Sequence, residues 1–522
     1  MFLSRSNIIL SLKVKLLQRK KSFFFLRKLK KKYPQAQIYL VGGAVRDLLL
    51  SSSTQDYDFV VRNIPLDSLK SFLSENGNVN LVGQAFGVLK FIPDEVRPHQ
   101  VFDIALPRKD FSFRTGGYRD VHTENDPQLS IEEDLSRRDF TINAMAIEIN
   151  SNPFRKNILI DPYGGYKDLK QKIIKSVGKP EERFKEDYSR ILRGIRFACQ
   201  LGDFSAKGGP ASGWEIENMT WQAMKEKMSC LFTQERQVVP YEVIAKEFIK
   251  SFVANPVRAF DLYDQSGGFK ELIPEILKMK NCPQPENYHT EGDVWKHTRL
   301  SLEKLSSPNL EKKCGKGVIS NEVIIATLFH DIGKPYTIQT PEKDGTNRIR
   351  FNDHDVVGAE KAKEIAQRLK LSSPDKVGIN IDEMVWLIKE HMVLIKGDIA
   401  KMRPRTIEKY FFNPHYSGQK LLQISFADIS ATITTKGPLS FDKFDQMLAR
   451  IQGLKELSEN KKELPKPLIT GDDIMKELTL SPGPRIGQLL GLIRGEQLNG
   501  SLKSKKQAFE FLKSVYDKFK QD

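Results

Sequence analysis

Tyr39-Leu-Val-Gly-Gly-Ala-Val-Arg-Asp-Leu-Leu49, followed after a short serine-rich link by Gln55-Asp-Tyr-Asp-Phe-Val-Val61, decides the fold. The first stretch is a strand that enters a glycine turn and then a helix. The second is a strand bearing two carboxylates. A strand places residues i and i+2 on one face, so Asp56 and Asp58 offer hard oxygen ligands to one small volume while Tyr57 points the other way. Such a pair suits Mg²⁺. Two magnesium ions about 3.5–4 Å apart activate an attacking hydroxyl and neutralise leaving pyrophosphate, the usual engine of nucleotidyl transfer. Gly42 and Gly43 let the backbone approach a triphosphate at a helix N-terminus, whose amides and dipole favour anions. Arg46 adds a planar fork for phosphate oxygens.

The surrounding chain has 522 residues, enough for several domains, and its 39% hydrophobic and 28% charged content is that of an ordinary globular protein. A net charge of +16 points to a polyanionic partner. The four cysteines, Cys199, Cys230, Cys282 and Cys314, form no C-x-x-C pair, which argues against a zinc knuckle or a disulfide framework and for a reducing cytoplasm. No apolar run approaches the ~18–20 residues needed to span a bilayer, so no membrane association is expected. From Met1 to Arg46 there is no acid. That segment reads as a transit peptide or, as we favour, a basic helical extension whose second half, from Ser22, is an amphipathic helix leading into the first strand.

Outward from the opening motif, the apolar runs Ile38–Val41, Phe59–Val61, Val88–Phe91 and Val101–Ala105 alternate with short helical patterns, an α+β arrangement with a small sheet. Asp103, between apolar neighbours, is a candidate third catalytic carboxylate; a strand-edge acid on a wet face is the alternative. The polar stretch from Leu106 to Leu129 lacks periodicity and reads as a mobile loop. After Asp161-Pro-Tyr-Gly-Gly an all-helical region is expected. There Asp187, Arg190, Arg193 and Arg196 recur every three residues along one helical stripe, free to line a cleft, while Ile191, Leu192, Ile195 and Phe197 supply a core face. Residues 202–213, rich in Gly and Ser, read as an inserted loop.

The order of Gly42-Gly-Ala-Val-Arg-Asp47, Asp56-Tyr-Asp58, Arg137-Arg-Asp-Phe-Thr-Ile-Asn-Ala-Met-Ala146 and Glu186-Asp-Tyr-Ser-Arg-Ile-Leu-Arg193 resembles the class II tRNA nucleotidyltransferase (CCA-adding) and bacterial poly(A) polymerase family, from about Ile38 to Pro482-Gly-Pro-Arg-Ile-Gly487. The resemblance implies that Arg138 contacts the nucleotide and Asp139 the ribose 2′-hydroxyl. It also implies that Asp187 and Arg190 form an amino-acid template reading CTP or ATP, and that the 106–129 loop helps the enzyme change nucleotide. A carboxylate accepts from the exocyclic amine that cytosine and adenine share, and a guanidinium donates to a ring nitrogen or carbonyl.

Six of eight histidines fall between His289 and His415. Among them are His297, the pair His330-Asp331, His354 and His391, with Asp428 further on. Imidazoles mixed with carboxylates suit divalent transition metals, and an adjacent His-Asp pair can give one ligand to each of two ions. The series resembles the HD metal-dependent phosphohydrolase superfamily. His297, His330, Asp331 and Asp428 are then its metal ligands, His354 and His391 complete a second metal position, and Lys334 contacts phosphate. An active and a degenerate HD site remain equally open.

The expected architecture is a basic extension (1–35), a polymerase-β-like nucleotidyltransferase head (36–165), an all-α neck that binds the nucleotide base and RNA (166–280), an HD domain (285–435) and a helical RNA-binding tail (436–522). The expected activity is addition of CMP and AMP from CTP and ATP to the 3′ end of tRNA, with Mg²⁺ in the head. Poly(A) polymerase or a partial CC- or A-adding enzyme shares every motif; an RNA-binding phosphohydrolase with a vestigial head is the rival of another class.

Overall fold

The protein is described by a computed structural model covering residues 21–54, 56–82, 87–94, 100–117, 120–150, 157–201, 213–232, 237–315, 317–457 and 464–519. Residues 1–20 of the basic extension, Gln55 and residues 202–212 of the expected insert lie outside the described residues. The chain forms two compact units, one running to Leu272 and the other from Ile273.

In the first unit, β1 (Gln37–Val41), β2 (Tyr57–Arg62), β3 (Gly77–Val82), β4 (Val88–Pro93), β5 (Phe102–Ala105), β8 (Ala146–Glu148) and β9 (Leu159–Ile160) form a seven-stranded sheet in the order β3-β4-β5-β2-β1-β8-β9. Its pairs are antiparallel except β2 with β5. Strand alternation divides the apolar residues between two cores. Ile38, Leu40, Phe59 and Val61 pack on one face, Tyr39, Val41 and Val60 on the other. Helix α1 (Phe24–Lys32) joins the first core through Phe25, Leu26 and Leu29, and the Phe23 ring stands edge-on to Tyr57, 5.1 Å between centroids. The core of the head therefore starts upstream of residue 36, where the sequence alone sets it.

The stretch expected as an aperiodic loop is a hairpin among its described residues. β6 (Arg108–Ser112) pairs antiparallel with β7 (Val121–Asn125), both alternating between half-buried and exposed positions. Its inner residues are held by ions rather than apolar packing. Asp110 accepts from Arg137 at 3.1 Å and lies 3.1 Å from the Arg108 Nε.

Helix α2 (Gly43–Leu50) follows β1 directly, and α3 (Ile131–Ser136) opens on a capping box of Ser130 and Glu133. Then come α4 (Pro180–Glu186), α5 (Ser189–Gln200) and α6 (Tyr241–Ala254). Ile191, Leu192, Ile195 and Phe197 of α5 are buried, the core face read from the sequence. The neck is not wholly helical: Ile173–Ile174 and Glu215–Ile216 pair in parallel.

In the second unit, α7 (Val294–Lys304), α8 (Asn321–Phe329), α9 (His354–Arg368), α10 (Ile381–Glu390) and α11 (Gly418–Ala431) pack together. Helices Gly471–Leu478, Pro484–Leu498 and Lys505–Phe519 build a separate core around Ile474, Leu489, Ile493 and Leu512. Among the described residues no helix is long and apolar enough to cross a membrane.

Candidate active site

Asp58 lies on β2 with Val41 opposite it on β1 and Asp103 opposite it on β5. The parallel pairing thus brings together two acids that are 45 residues apart in the chain. Asp56 stands immediately before the strand, and Tyr57 between them is buried, as alternation requires. Burial pushes the Asp58 carboxyl up to about 6; Arg138 opposes this, while Asp103 and Asp56 reinforce it. Asp58 thus feels two acids against the cations Arg138 and Lys90, and the hard oxygens of Asp58 and Asp103, paired across the strands, suit a small divalent cation. Lys90, 3.7 Å from Asp103, is itself exposed.

Beside the acids, Gly42 has φ +71°, and a Cβ there would come within 2.7 Å of the Arg138 guanidinium. Glycine is therefore required twice over, by backbone conformation and by the arginine's approach. Arg46 on α2 donates to Asp47 and Asn143, both at 2.9 Å, and lies over the Phe197 ring at 5.4 Å. The buried Asp134 anchors Arg137 at 2.8 Å and Arg138 at 3.4 Å.

Asp139 is buried at the cleft wall. Its Oδ2 accepts two bonds from Arg193, at 2.8 and 2.6 Å, and its Oδ1 accepts from Asn143 and the Phe140 amide. Burial works against its charge, yet the Arg193 guanidinium holds the carboxyl well below the usual range. Asp187 is not on the helical stripe: it is an extended residue between α4 and α5, its Oδ1 accepting from the Ser189 amide at 2.9 Å. Arg190 is fixed by Glu186 at 2.8 Å and by the Arg183 and Arg137 carbonyls, with its Nε 4.0 Å from Asp187. Arg196 leaves the stripe altogether. It is buried against Glu247 of α6 at 2.5 Å and lies 4.1 Å over Phe197. Steps of three residues fall short of a turn, so Arg196 is rotated about 120° from Arg190.

Together Gly42, Gly43, Arg46, Asp58, Asp103, Arg138, Asp139, Asp187, Arg190 and Arg193 line one cleft of about 850 Å³, within the range of small-molecule sites. Sequence reasoning missed several of its walls. Arg108, Asp110 and Ser112 come from the inner face of the hairpin, Asn143 from the Arg137–Ala146 motif, and Lys246 and Glu247 from α6. Only Asn143 stood in a recognisable motif. At the hairpin tip, the Gly116 carbonyl accepts from the Tyr188 amide at 2.9 Å, next to Asp187.

The second unit gathers four of its histidines and two acids. His297 comes from α7, His330 and Asp331 from the end of α8, His354 from the start of α9, His391 from the end of α10 and Asp428 from α11. The Nδ1 atoms of His330, His354 and His391 face the carbonyls of Thr327, Phe351 and Ile388 at 2.8, 2.8 and 2.6 Å. A carbonyl only accepts, so Nδ1 carries the proton and Nε2 presents its lone pair. All three Nε2 atoms are buried without a hydrogen-bond partner, which is what a metal-ligating set requires.

His297, His330 and Asp331 can converge on one ion, and Asp331, His354 and His391 on another, so Asp331 joins the two groups. Burial disfavours a charged His297, but hydrogen bonds to Asp428 at 3.0 Å and Glu291 at 2.8 Å carry it up to about 9. Burial and the neighbouring His330 and His354 push His391 down to about 4. Lys334 lies 2.7 Å from Asp331 and donates to Gln284. Glu291, which accepts from both His289 and His297, is a site residue that sequence reasoning missed.

Comparison with known proteins bears on both centres. A poly A polymerase head domain matches residues 38–175 and an HD domain residues 295–429. The chain is 31% identical over 377 residues to the multifunctional CCA protein of Actinobacillus pleuropneumoniae serotype 5b (strain L20), covering 72% of this chain and 79% of the relative. It is 29% identical over 478 residues to the A-adding tRNA nucleotidyltransferase of Deinococcus radiodurans, covering 91% and 94%. Among solved structures, a CCA-adding enzyme in apo form II matches with a TM-score of 0.60 at 20% identity over 96% of this chain and 98% of that one. The Thermotoga maritima CCA-adding enzyme complexed with tRNA-CCA matches at 0.57 and 22%, over 97% and 98%. At such identities the structures speak for the fold. The sequence match and the carboxylate-bearing head together place the chain in the family of nucleotidyltransferases that includes the multifunctional CCA proteins.

Proposed function

We propose that this chain adds CMP and AMP, taken from CTP and ATP, to the 3′ end of tRNA and releases pyrophosphate. The observation that carries the reading is the opposition of Asp58 and Asp103 across β2 and β5, with Asp56 just before the strand, in a cleft that Arg46, Arg138, Arg190 and Arg193 also line. Mg²⁺ held by these acids would activate the attacking hydroxyl and neutralise the leaving group. The protein's own part is positioning. Arg46 and Arg138 hold phosphate oxygens beside the Gly42-Gly43 turn. The Arg193–Asp139 pair meets the ribose, and Asp187 with the braced Arg190 reads the base edge.

The test is incubation of the purified protein with tRNA lacking its terminal CCA, with CTP and ATP separately and together. Addition of C, C and A in that order supports the proposal. Addition of A alone to tRNA ending in CC would move the assignment to the A-adding relatives, a second reading favoured by the Deinococcus match over 91% of this chain. Long A runs would move it to poly(A) polymerase.

The HD centre is proposed as a divalent transition-metal phosphohydrolase acting on phosphomonoesters or 2′,3′-cyclic ends, with Lys334 beside Asp331 to meet phosphate. Orphaned imidazole nitrogens are its support. Release of phosphate with Mg²⁺, Mn²⁺, Ni²⁺ or Co²⁺, abolished in His330→Ala, checks it. Hydrolysis without any nucleotide addition would instead favour the RNA-binding phosphohydrolase. The four thiols, all unpaired, accord with a cytoplasmic setting.

A further inference from the structure

The hairpin has two faces with different chemistry. Arg108, Asp110, Ser112 and Val121 point into the cleft, while Lys109, Phe111, His122 and Glu124 point away and are exposed. Phe111 and His122 are directly opposite in the register, with rings 6.3 Å apart and tilted by 34°. Phe113, two residues on and of the same parity, is 69% exposed, and Phe111 is 49% exposed. A single exposed apolar side chain needs no explanation. Phe111 and His122 side by side, with Phe113 exposed just beyond the strand end, on a ribbon whose other face lines the cleft, form a pattern that chain packing does not account for.

We propose that this outer face is a stacking platform for unpaired bases near the 3′ end of the RNA, a surface on which the strand is guided towards the cleft. The proposal rests on the reading that an RNA 3′ end is the acceptor. Successive π-faces with cations among them suit single-stranded nucleic acid, because every base has a face to stack and the backbone is anionic. Lys109 on the outer face and Arg114 just past the strand end are the nearby cations, while Glu124 lies 3.5 Å from His122 on the same face. Lys109 is held by Glu133 at 2.9 Å and Arg114, 75% exposed, is loosely tied to Glu182 at 3.8 Å. Continuity adds the second argument: a strand whose end reacts at Asp58 and Asp103 meets the hairpin at the rim of the cleft, since Ser112 and Val121 line that cleft from the same two strands. The net charge of +16 brings the polyanion to the protein, and the rings then discriminate unpaired from paired RNA.

The experiment compares the full chain with a Phe111→Ala/Phe113→Ala double variant and a Phe111→Tyr/Phe113→Tyr control. The probe is an RNA minihelix with an unpaired 3′ overhang carrying 2-aminopurine, beside the same helix with a blunt end. Binding is read without nucleotides. For the overhang, affinity should fall about tenfold or more in the alanine variant and recover in the tyrosine control, the size expected for lost base stacking. The slope of affinity against salt should not change, because rings release no counterions. Quenching of 2-aminopurine by the parent protein should vanish in the alanine variant.

Unchanged overhang affinity and fluorescence would overturn the proposal, as would an equal loss on the blunt helix. A change in sedimentation with RNA affinity intact would give the face to a second copy of the chain instead. Loss of quenching in the variant of a protein that adds no nucleotide keeps the platform and sinks the acceptor reaction; nucleotide addition with normal overhang binding in the variant does the reverse.

Discussion

The head cleft and the HD centre both concentrate acids, but they balance the charge in different ways. In the head, Asp58 faces Asp56 and Asp103, and its carboxyl is pushed up to about 6. In the HD centre burial also opposes charge, yet His330, Lys334 and His297 hold Asp331 well below the usual carboxylate range. In the first site acids reinforce one another; in the second Lys334 and His297 stand against Asp331 while three imidazole nitrogens are left for a metal. Loss of an acid should therefore remove chemistry without loss of stability in the head, and remove both in the HD centre.

The largest effect expected is on incorporation. Asp58→Ala should lower CMP and AMP addition by about 10³-fold, the rate equivalent of the several kcal/mol a metal contributes, while RNA affinity stays within about twofold. Near-normal incorporation would break the metal assignment. Stability sharpens the contrast: Asp331→Ala leaves Lys334 and His297 with less compensation and should destabilise the second unit by about 3 kcal/mol. In the head, Asp58→Asn should leave the melting temperature unchanged or higher. Equal losses in the two melting curves would end the distinction.

Within the head, Asp187→Ala or Arg190→Ala should erode discrimination of CTP and ATP against UTP and GTP by about tenfold or more, the value of one hydrogen bond to a charged group. Arg193→Lys should erode it less; kcat/KM for all four ribonucleotides decides. The smallest effect belongs to Gly42→Ala. Its positive φ and the displaced Arg138 guanidinium should lower stability by about 1–2 kcal/mol in denaturant melts and raise KM for the nucleotide. A silent Gly42→Ala would mean that Arg138 is free to move aside.

Local signals made much of the head legible. Strands β1, β2, β4 and β5 were visible as short apolar runs, and the Asp56-Tyr57-Asp58 alternation was visible because a strand's period is two. Asp103 is a candidate from burial cost alone; its pairing with Asp58 needs the parallel register, a long-range property. The hairpin escaped because its alternation, Arg108-Lys-Asp-Phe-Ser, turns charged residues inward and a phenylalanine outward, the reverse of a core-facing strand, and is fixed by ions from Arg137. Arg196 was misplaced because a spacing of three looks like a stripe over one turn and drifts away over two. Glu291 carried no signal: a lone acid in a turn becomes a site residue only when folding brings it to His297.

The contact at the hairpin tip also constrains descent. Gly116 has φ +79°, and a Cβ on it would sit 2.0 Å from the Tyr188 ring, so position 116 cannot gain a side chain while that ring stands. A side chain at 116 becomes tolerable only in a lineage that has already reduced the ring at 188 and found another way to adopt the left-handed turn. The two positions are separated by 72 residues, yet a change at 116 should follow one at 188. Because Tyr188 adjoins Asp187, any lineage that remodels this turn also disturbs the base-reading junction, so alterations of the hairpin tip and changes of nucleotide preference should arise together.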